Sequence, residues 1–148
     1  MQLFLRGLLP TDEDLLFRWR NDPETRANSS NTAEISPKEH ADWFSQIFAE
    51  HRQNVLIATK DGVDVGTVRP DWSEDRQGCD LSFTVAPERG GKGLGSAIVK
   101  HALKNMTNAR VCAEVKVNNV ASRRIFEKLD FKVIDTQGDV LMYAKDFY

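Results

Sequence analysis

The sequence predicts a mixed α/β fold, in which a sheet of about seven strands is flanked by four helices. Short β-branched runs bounded by turn residues mark the strands, and apolar residues at helical spacing mark the segments between them. These elements follow one another in the order β-α-α-β-β-β-α-β-α-β-β. A chain of 148 residues is most simply one domain, spanning 1–148, and is long enough to bury a core.

Capping residues indicate where the first two helices begin and end. Thr11 and Asp14 form a T-x-x-D box, which predicts a helix start, and Pro23 predicts the end of that helix. Ser36 is a helix-capping residue, and it is followed by Pro37, which suits the first helical position. The remaining two helices follow the glycine-rich loop and the fifth strand.

The strands are predicted from apolar and β-branched runs, and two pairs of them form hairpins. Asp61-Gly62 is a strong signal for a tight hairpin turn. Gly138 separates the last two runs in the same way. The predicted strand segments are 3–8, 55–59, 63–69, 81–85, 111–117, 132–135 and 140–144.

Composition and charge exclude several classes of protein. A net charge of −2 without a Lys/Arg-rich block argues against a general nucleic-acid binder. Neither a signal peptide nor a membrane span is recognisable, so we expect a cytoplasmic protein without membrane contact. Cys79 and Cys112 have no metal-ligand spacing, and neither do the three histidines, so we expect packed, reduced thiols and no metal.

The most informative segment is 81–102, where an apolar strand leads through a glycine-rich loop into a helix. Its loop contains four glycines, namely Gly90, Gly91, Gly93 and Gly95. This order of elements presents the free N–H groups of a helix N-terminus to an anion, and glycine allows the ligand to approach closely. Two nucleotide motifs do not fit, because a P-loop needs Lys at Ser96 and a dinucleotide fingerprint needs Gly there.

The loop resembles the acetyl-CoA loop of the GCN5-related N-acetyltransferase (GNAT) superfamily, whose pattern is Q/R-x-x-G-x-G/A. Gly93 and Gly95 match its two glycine positions. Gly90 stands where Gln or Arg is usual, and Arg89 lies one place earlier. The resemblance implies that acetyl-CoA binds here as a co-substrate, with its pyrophosphate on residues 89–96, including Gly91 and Ser96. We expect Gly93 and Gly95 to be replaceable without loss of the fold.

A second segment resembles the final motif of the same superfamily, N-x-x-S-x-x-x-Y-x-x-x-G-F. Asn119, Ser122 and Phe131 match it, within the segment EVKVNNVASRRIFEKLDF. Asp130 replaces the usual Gly, a tolerable change because Asp accepts the left-handed backbone conformation. Phe126 stands at the usual Tyr position, so it cannot protonate the departing thiolate. Asn119, Ser122 and Phe126 are therefore expected to line the cofactor site, and Ser122, Tyr143 or water remains as a possible acid.

The resemblance covers nearly the whole chain and implies a GNAT fold with direct acyl transfer. In that superfamily the fourth and fifth strands separate, and the pantetheine arm pairs with the exposed edge of the fourth strand. By position, the main chain of Val85 is expected to bind pantetheine, and the N–H of Phe83 to point at the thioester carbonyl. A primary amine then attacks acetyl-CoA without an acetyl-enzyme.

Glu114 is the candidate general base. It lies five residues before Asn119 in an E-V-x-x-x-N arrangement, which resembles the ribosomal-protein N-acetyltransferases. Strand alternation places Glu114 and Lys116 on one face, so a solvated pair of charges explains the pattern equally well. Asp80 and Glu88 are weaker candidates for the same role.

The acceptor site is expected in the N-terminal third, where R-W-R-N-D-P and S-P-K-E-H-A-D-W-F resemble acetyltransferases of UDP-linked 4-amino sugars. Arg18, Arg20 and Arg26 are candidates for phosphate contacts, and Trp19, Trp43 and Trp72 for stacking on a ring. Trp19 and Trp43 also lie on helical apolar stripes, so packing in the core is the favoured explanation for either of them. His40 and His51 are expected on helix surfaces. We take Arg18, Arg20 and Trp43 as the candidate acceptor-binding residues.

Three functions remain open at this point. The first is an acetyl-CoA-dependent N-acetyltransferase that acts on a small-molecule amine, carried by a nucleotide-linked amino sugar. A protein N-terminal acetyltransferase is the second, for which the E-V-x-x-x-N arrangement argues. The third is a weakly active acyl-CoA-binding module, for which Phe126 argues. Both a monomer and a homodimer are compatible with the sequence.

Overall fold

The computed structural model describes residues 2–29, 31–51, 54–90 and 93–148, apart from the side chain of His51. The strands are β1 Leu3–Gly7, β2 Leu56–Lys60, β3 Val63–Trp72, β4 Gly78–Val85, β5 Ala109–Lys116, β6 Lys132–Gln137 and β7 Val140–Phe147. The α-helices are α1 Glu13–Arg20, α2 Pro23–Ala27, α3 Pro37–Gln46, α4 Leu94–Leu103 and α5 Val120–Lys128.

All seven strands join one sheet in the order β1-β2-β3-β4-β5-β7-β6. The pairing of β4 with β5 is parallel, and the other five neighbouring pairs are antiparallel. The mixed sheet and the order of its elements confirm the predicted fold class. The difference is α2, which adds a fifth helix to the four expected.

The turns and caps that depend on local sequence are confirmed. Asp61 and Gly62 have φ angles of 53° and 79°, as a two-residue hairpin turn requires. The hydroxyl of Ser36 accepts a hydrogen bond from the N–H of Glu39 at 3.1 Å, which caps α3. Asp130 has a φ of 68°, so it takes the left-handed conformation expected of it.

The predicted boundaries of the first helix are wrong at both ends. α1 begins at Glu13, and the predicted box of Thr11 and Asp14 does not mark its start. The residue just before the helix, Asp12, is buried, and its carboxylate forms an ion pair with Arg6 at 2.8 Å. Pro23 begins α2 instead of simply ending α1, because a proline at the first helical position has no N–H to leave unpaired.

Two apolar clusters cover the two faces of the sheet. One cluster joins α4 and α5 to β4 and β5, and includes Leu81, Ile98, Val111, Ala113 and Phe126. The other joins α1 and α3 to β2, and includes Leu16, Trp19, Phe44 and Ile57. Because side chains alternate along a strand, Ser82, Thr84 and Glu114 lie on the face of α1 and α3.

Candidate active site

The sheet opens between β4 and β5. The two strands pair only over Gly78–Asp80 and Arg110–Cys112, although β4 continues to Val85 and β5 to Lys116. The outer edge of β5 stays bonded to β7 along its whole length. Beyond the paired residues, the facing edges of β4 and β5 therefore have no strand partner, and a gap separates them.

The main chain of β4 directs alternate residues into this gap. On the β3 side, the N–H of Ala86 donates to the carbonyl of Val65 at 2.8 Å. In an antiparallel register this places the N–H groups of Ser82 and Thr84 on β3 as well. The N–H and C=O groups of Phe83 and Val85 then face the gap. The structure thus places both sequence-predicted main-chain donors at an open edge.

The N-terminus of α4 lies at the end of the same strand. Gly93 precedes the helix with a φ of 74°, a conformation that favours glycine. The first hydrogen bond within the helix runs from the N–H of Ala97 to the carbonyl of Gly93, at 3.2 Å. Among the described residues, the N–H groups of Leu94, Gly95 and Ser96 therefore have no helical partner, so they are available to an anion. Gly91 falls outside the described residues, and Gly90 is exposed.

Gly95 has a packing role that the sequence motif did not reveal. A Cβ atom at this position would lie 3.0 Å from Cδ1 of Ile125, 3.1 Å from Cε2 of Phe83 and 3.4 Å from Cγ2 of Val85. α4 therefore approaches β4 and α5 too closely for a larger residue. A larger residue at Gly95 therefore requires Ile125 and Phe83 to move, and its replacement without loss of the fold stays a prediction, whereas a Cβ at Gly93 meets nothing within 4 Å.

Arg89, which the sequence analysis includes in the pyrophosphate loop, has a side chain placed for contact with an anion. It ends a short 3₁₀ helix, Pro87–Arg89, just before the glycine loop. Its Nε atom is buried and has no hydrogen-bond partner among the described residues. A buried donor without an acceptor is unfavourable, so a phosphate oxygen at this point would satisfy it. With the free N–H groups of α4, this arrangement fits a CoA pyrophosphate.

The N-terminus of α5 borders the gap from β5. Asn119 caps this helix, and its side-chain oxygen accepts the N–H of Ser122 at 3.3 Å. Ser122 is half-buried. This bond stabilises the start of α5, the helix on which the motif places the cofactor residues.

Phe126 lies in the core rather than at the surface of the gap. Its ring is 2% exposed and packs against Phe83, Phe131 and Tyr143 at centroid distances of 6.0, 5.1 and 6.1 Å. The hydroxyl of Tyr143 donates to Glu127 at 2.6 Å, and burial and this bond raise the pKa of Tyr143. Because the Tyr143 hydroxyl already donates to Glu127 of α5, it is poorly suited to protonate a leaving thiolate.

A cavity of about 260 Å³ lies against β3 and β4, on the face covered by α1 and α3. Arg20 and Trp43, both sequence-predicted acceptor residues, line it together, and the Arg20 guanidinium lies 5.0 Å from the centre of the Trp43 ring. Phe83 lines it from β4. The other lining residues are Leu16, Trp19, Thr25, Ser29, Val55, Thr67, Arg69, Ser82 and Thr84.

Not every predicted acceptor residue reaches this cavity. Arg18 is exposed and lies on a different surface, beside Asn21 and Glu34. Trp19 does line the cavity, but it is 3% exposed and belongs mainly to the core cluster of α1 and α3. Trp72 contacts Arg76, whose guanidinium lies 4.7 Å from its ring centre. The sequence patterns therefore identified two of the three chosen acceptor residues, Arg20 and Trp43, as neighbours.

The segment 21–29, the acceptor-side loop, contains α2, brings Thr25 and Ser29 to the cavity and is attached at two points. At its base, the side chain of Asn21 donates to the carbonyl of Ile35 at 2.9 Å and accepts the N–H of Ile35 at 2.8 Å. Near its tip, Nζ of Lys116 donates to the carbonyl of Ala27 at 2.9 Å. Lys116 thus ties the acceptor-side loop to β5.

Glu114 lies on β5 between these features. Its side chain is exposed and, among the described residues, has neither an ion pair nor a hydrogen bond. The amine of Lys116 is bonded to Ala27 instead, so the two residues do not form the solvated charge pair considered above. Extending the register from Asp80–Cys112 places Glu114 opposite Ser82, which lines the cavity. The carboxylate therefore lies on the cavity side of the gap.

Sequence reasoning missed several residues at the site. Arg69, Thr67, Ser82 and Thr84 line the cavity from β3 and β4, and strand alternation could have found the last two. His40, expected on a helix surface, is 2% exposed, and its Nε2 lies 2.9 Å from the carbonyl of Glu13. It precedes Phe44 by one helical turn, so it shares the apolar stripe, and burial lowers its pKa.

The described residues contain no group of His, Cys, Asp and Glu that could hold a metal ion. Burial raises the pKa of Cys79 to about 12 and also raises that of Cys112. Neither thiol is therefore activated as a nucleophile. Among the described helices, none combines the length and the apolar character that a membrane crossing needs.

Comparisons with known proteins agree with this geometry. The family model described as "Acetyltransferase (GNAT) domain" matches residues 2–132. No curated protein sequence matches the chain. Several solved structures share the fold, and all of those cited next are less than 25% identical to this chain, so they establish the fold alone.

The protein yncA of Salmonella typhimurium, described as an acetyltransferase and solved with its cofactor acetyl-CoA, is 18% identical, with a TM-score of 0.73 over 100% of this chain and 95% of that one. Spermidine N-acetyltransferase of Vibrio cholerae, in complex with CoA and spermine, is 16% identical, with a TM-score of 0.79 over 97% and 93%. An aminoglycoside acetyltransferase in complex with coenzyme A is 18% identical, with a TM-score of 0.76 over 98% and 95%.

Proposed function

The chain belongs to the GNAT family of acetyltransferases, and we propose that the amine it acetylates is carried by a nucleotide-linked amino sugar. It is an acetyl-CoA-dependent N-acetyltransferase of the GNAT type. Acetyl-CoA supplies an acetyl thioester that a free amine can attack directly. The protein must hold that thioester, bring the amine to it and accept a proton from the ammonium.

The gap between β4 and β5 and the N-terminus of α4 are suited to the first task. Free N–H groups at Leu94, Gly95 and Ser96, together with the unpaired Nε of Arg89, would hold the pyrophosphate. The main chain of Val85 would bond the pantetheine as an added strand does. The N–H of Phe83 would donate to the thioester carbonyl, where negative charge develops during acyl transfer.

Glu114 would accept the proton from the acceptor ammonium, directly or through water. Its exposed carboxylate has no described ion-pair partner, and it projects from the sheet face that borders the cavity. A general base has to reach the acceptor with a carboxylate that no other group occupies, and an exposed carboxylate on this face is suited to that role. Asn119 and Ser122 would support the site by fixing the start of α5. Phe126 would support it by packing against the ring of Phe83.

The acceptor assignment rests on one observation. Inside the cavity, the Arg20 guanidinium lies 5.0 Å from the centre of the Trp43 ring. An aromatic face suits the apolar side of a sugar ring, and a guanidinium suits a phosphate. Hydroxyl groups from Thr25, Ser29 and Ser82 add polar contacts of the kind that a sugar needs. A cavity of about 260 Å³ would take the amino sugar, with the nucleotide extending beyond it.

Acetylation of a protein N-terminus is the second candidate. The position of Glu114, five residues before Asn119 on the cavity side of β5, favours it. Against it stands the small cavity, since a peptide needs a longer groove.

The test is release of free CoA from acetyl-CoA with different acceptors. We expect release with a UDP-linked 4-amino sugar and little with an N-terminal peptide or with no acceptor. Faster release with the peptide would support the second candidate and overturn the first. CoA binding without release from any amine would identify an acyl-CoA-binding module instead.

A further inference from the structure

Arg20 is a partly buried cation whose hydrogen-bonding groups are unused. It lines the cavity and stacks on Trp43, and among the described residues it makes no hydrogen bond or ion pair. An arginine has five N–H donors in a planar fork, so the whole fork is available to a ligand. A buried charge without a partner is unfavourable, and a bound anion would relieve it.

Arg69 lines the same cavity from β3. Its Nε donates to the Oδ1 of Asp71 at 3.0 Å, which fixes the side chain along the strand. No other hydrogen bond of this guanidinium is found among the described residues, so its two terminal nitrogens are unpaired. Arg69 was not among the residues that the sequence indicated.

The two guanidiniums are close enough to repel each other. Burial and the charge of Arg69 both lower the pKa of Arg20, and Glu39 opposes that shift. Glu39 is itself engaged in the α3 cap, where it accepts the hydroxyl of Ser36 at 3.1 Å. None of the described residues that line the cavity is acidic. Asp71 pairs with Arg69 from outside the lining residues, whereas Arg20 has no ion-pair partner among the described residues.

We infer that Arg20 and Arg69 together form an anion-binding site, and that the enzyme selects amines which also carry a phosphate or carboxylate. Because two guanidiniums in one cavity can each bind a tetrahedral or planar oxyanion through paired N–H groups, such a site binds these groups in preference to neutral ones. The same pair would repel a polyamine. This selection by charge rests on the proposed function, which places the acceptor in this cavity.

The anion site also orients the acceptor. Phe83, whose N–H faces the gap, lines the same cavity as the two arginines. An acceptor held by its anion would therefore present its amine towards β4 and the thioester. The distance from anion to amine would then decide which acceptors react.

Direct binding of simple anions tests the inference without relying on turnover. Inorganic phosphate and acetate are titrated by calorimetry into the protein saturated with CoA, so that the N-terminus of α4 is already occupied. The variants are Arg20→Gln and Arg69→Gln, and Arg18→Gln is the matched control because Arg18 lies on α1 outside the cavity. Acetyl transfer to the UDP-linked amino sugar and to spermidine is measured in parallel.

We expect saturable binding of at least one anion, weakened tenfold or more in Arg20→Gln and in Arg69→Gln and unchanged in Arg18→Gln. The anion that binds more tightly identifies phosphate or carboxylate as the natural group. Equal binding by all four proteins, or no saturable binding, would overturn the inference. Anion binding without acetylation of the sugar nucleotide would refute only the proposed acceptor, whereas full activity of Arg69→Gln on that acceptor would refute only the anion site.

Discussion

The ammonium of Lys116 on β5 donates to the carbonyl of Ala27 at the end of α2, at 2.9 Å. This bond joins two residues that are 89 positions apart in the chain, and it attaches the acceptor-side loop to β5. Thr25 and Ser29, which line the cavity, lie on either side of Ala27. The bond therefore connects the strand of the candidate base to the wall of the acceptor cavity.

Replacement of Lys116 by Met should weaken acceptor binding without affecting CoA. Met keeps the length of the side chain and removes the donor, so the loop loses one of its two attachments. We expect the KM for the acceptor to rise about two- to tenfold, the equivalent of roughly 0.5–1.5 kcal/mol for one hydrogen bond. Steady-state kinetics with either substrate varied measures this effect.

Lys132→Met is the control for that experiment, because Lys132 is exposed on the edge strand β6. An unchanged acceptor KM in Lys116→Met, or an equal rise in both variants, would show that the bond to Ala27 does not shape the cavity.

Replacement of Gly93 by Val should weaken CoA binding. A φ of 74° is strained for a β-branched residue, and relaxation of that strain would turn the free N–H groups of α4 away from the pyrophosphate. We expect CoA to bind about tenfold or more weakly, which corresponds to roughly 1.4 kcal/mol. Calorimetry measures the affinity, and thermal unfolding monitors the fold.

Gly138→Val is the matched control for Gly93→Val. Gly138 also has a positive φ, of 58°, and a Cβ added there meets nothing within 4 Å, but it lies in the turn between β6 and β7. It should cost similar stability and leave CoA affinity intact. If both variants bind CoA equally well, the pyrophosphate does not bind at the start of α4.

Replacement of Phe126 by Tyr should preserve activity at a cost in stability. The ring is buried against Phe83, Phe131 and Tyr143, so the added hydroxyl enters apolar surroundings. We expect the free energy of unfolding to fall by roughly 1–3 kcal/mol. kcat should stay the same, because the added hydroxyl is buried beneath Phe83 and does not lie in the gap.

Denaturant unfolding and steady-state kinetics separate the two effects of Phe126→Tyr. Phe131→Tyr, at another buried ring position, should lose stability without any gain in kcat. A large fall in kcat for folded Phe126→Tyr would mean that the shape of this ring is itself required for acetyl transfer.

Replacement of Glu114 by Gln should slow acetyl transfer at neutral pH. Gln keeps the shape of the side chain and cannot accept the proton, so kcat/KM should fall about 10²-fold. The defect should shrink as the pH rises, because more of the acceptor amine is then already deprotonated. CoA affinity should be unchanged, since Glu114 is not placed against the pyrophosphate site.

Asp80→Asn is the control for Glu114→Gln, because Asp80 lies on the same sheet face at the paired end of β4. It should retain nearly full activity. A wild-type rate in Glu114→Gln, or a defect that stays constant across the pH range, would leave solvent water as the proton acceptor.

The sequence predicted those parts of the site that lie close together in the chain. Gly93, Gly95, Phe83 and Val85 belong to one strand–loop–helix unit, so the family resemblance of that one segment implied that they lie together. The turn at Asp61 was predictable because its geometry depends on two adjacent residues.

The cavity was harder to predict because tertiary packing assembles it. Arg20 comes from α1 and Arg69 from β3, and no local pattern relates these two positions. Lys116 and Ala27 meet only when the acceptor-side loop folds over β5. The role of Gly95 in packing also required the structure, since its neighbour Ile125 lies on another helix.

We propose above all that acetyl-CoA occupies the gap between β4 and β5, and the exchange of the amide protons of β4 tests this directly. Phe83 and Val85 have N–H groups in the gap, while those of Ser82 and Thr84 are bonded to β3. Amide hydrogen exchange, followed by NMR with and without CoA, distinguishes the two sets within one strand. We expect CoA to slow the exchange of Phe83 and Val85 strongly and to leave Ser82 and Thr84 almost unchanged. Tight CoA binding without protection of Phe83 and Val85 would contradict the account.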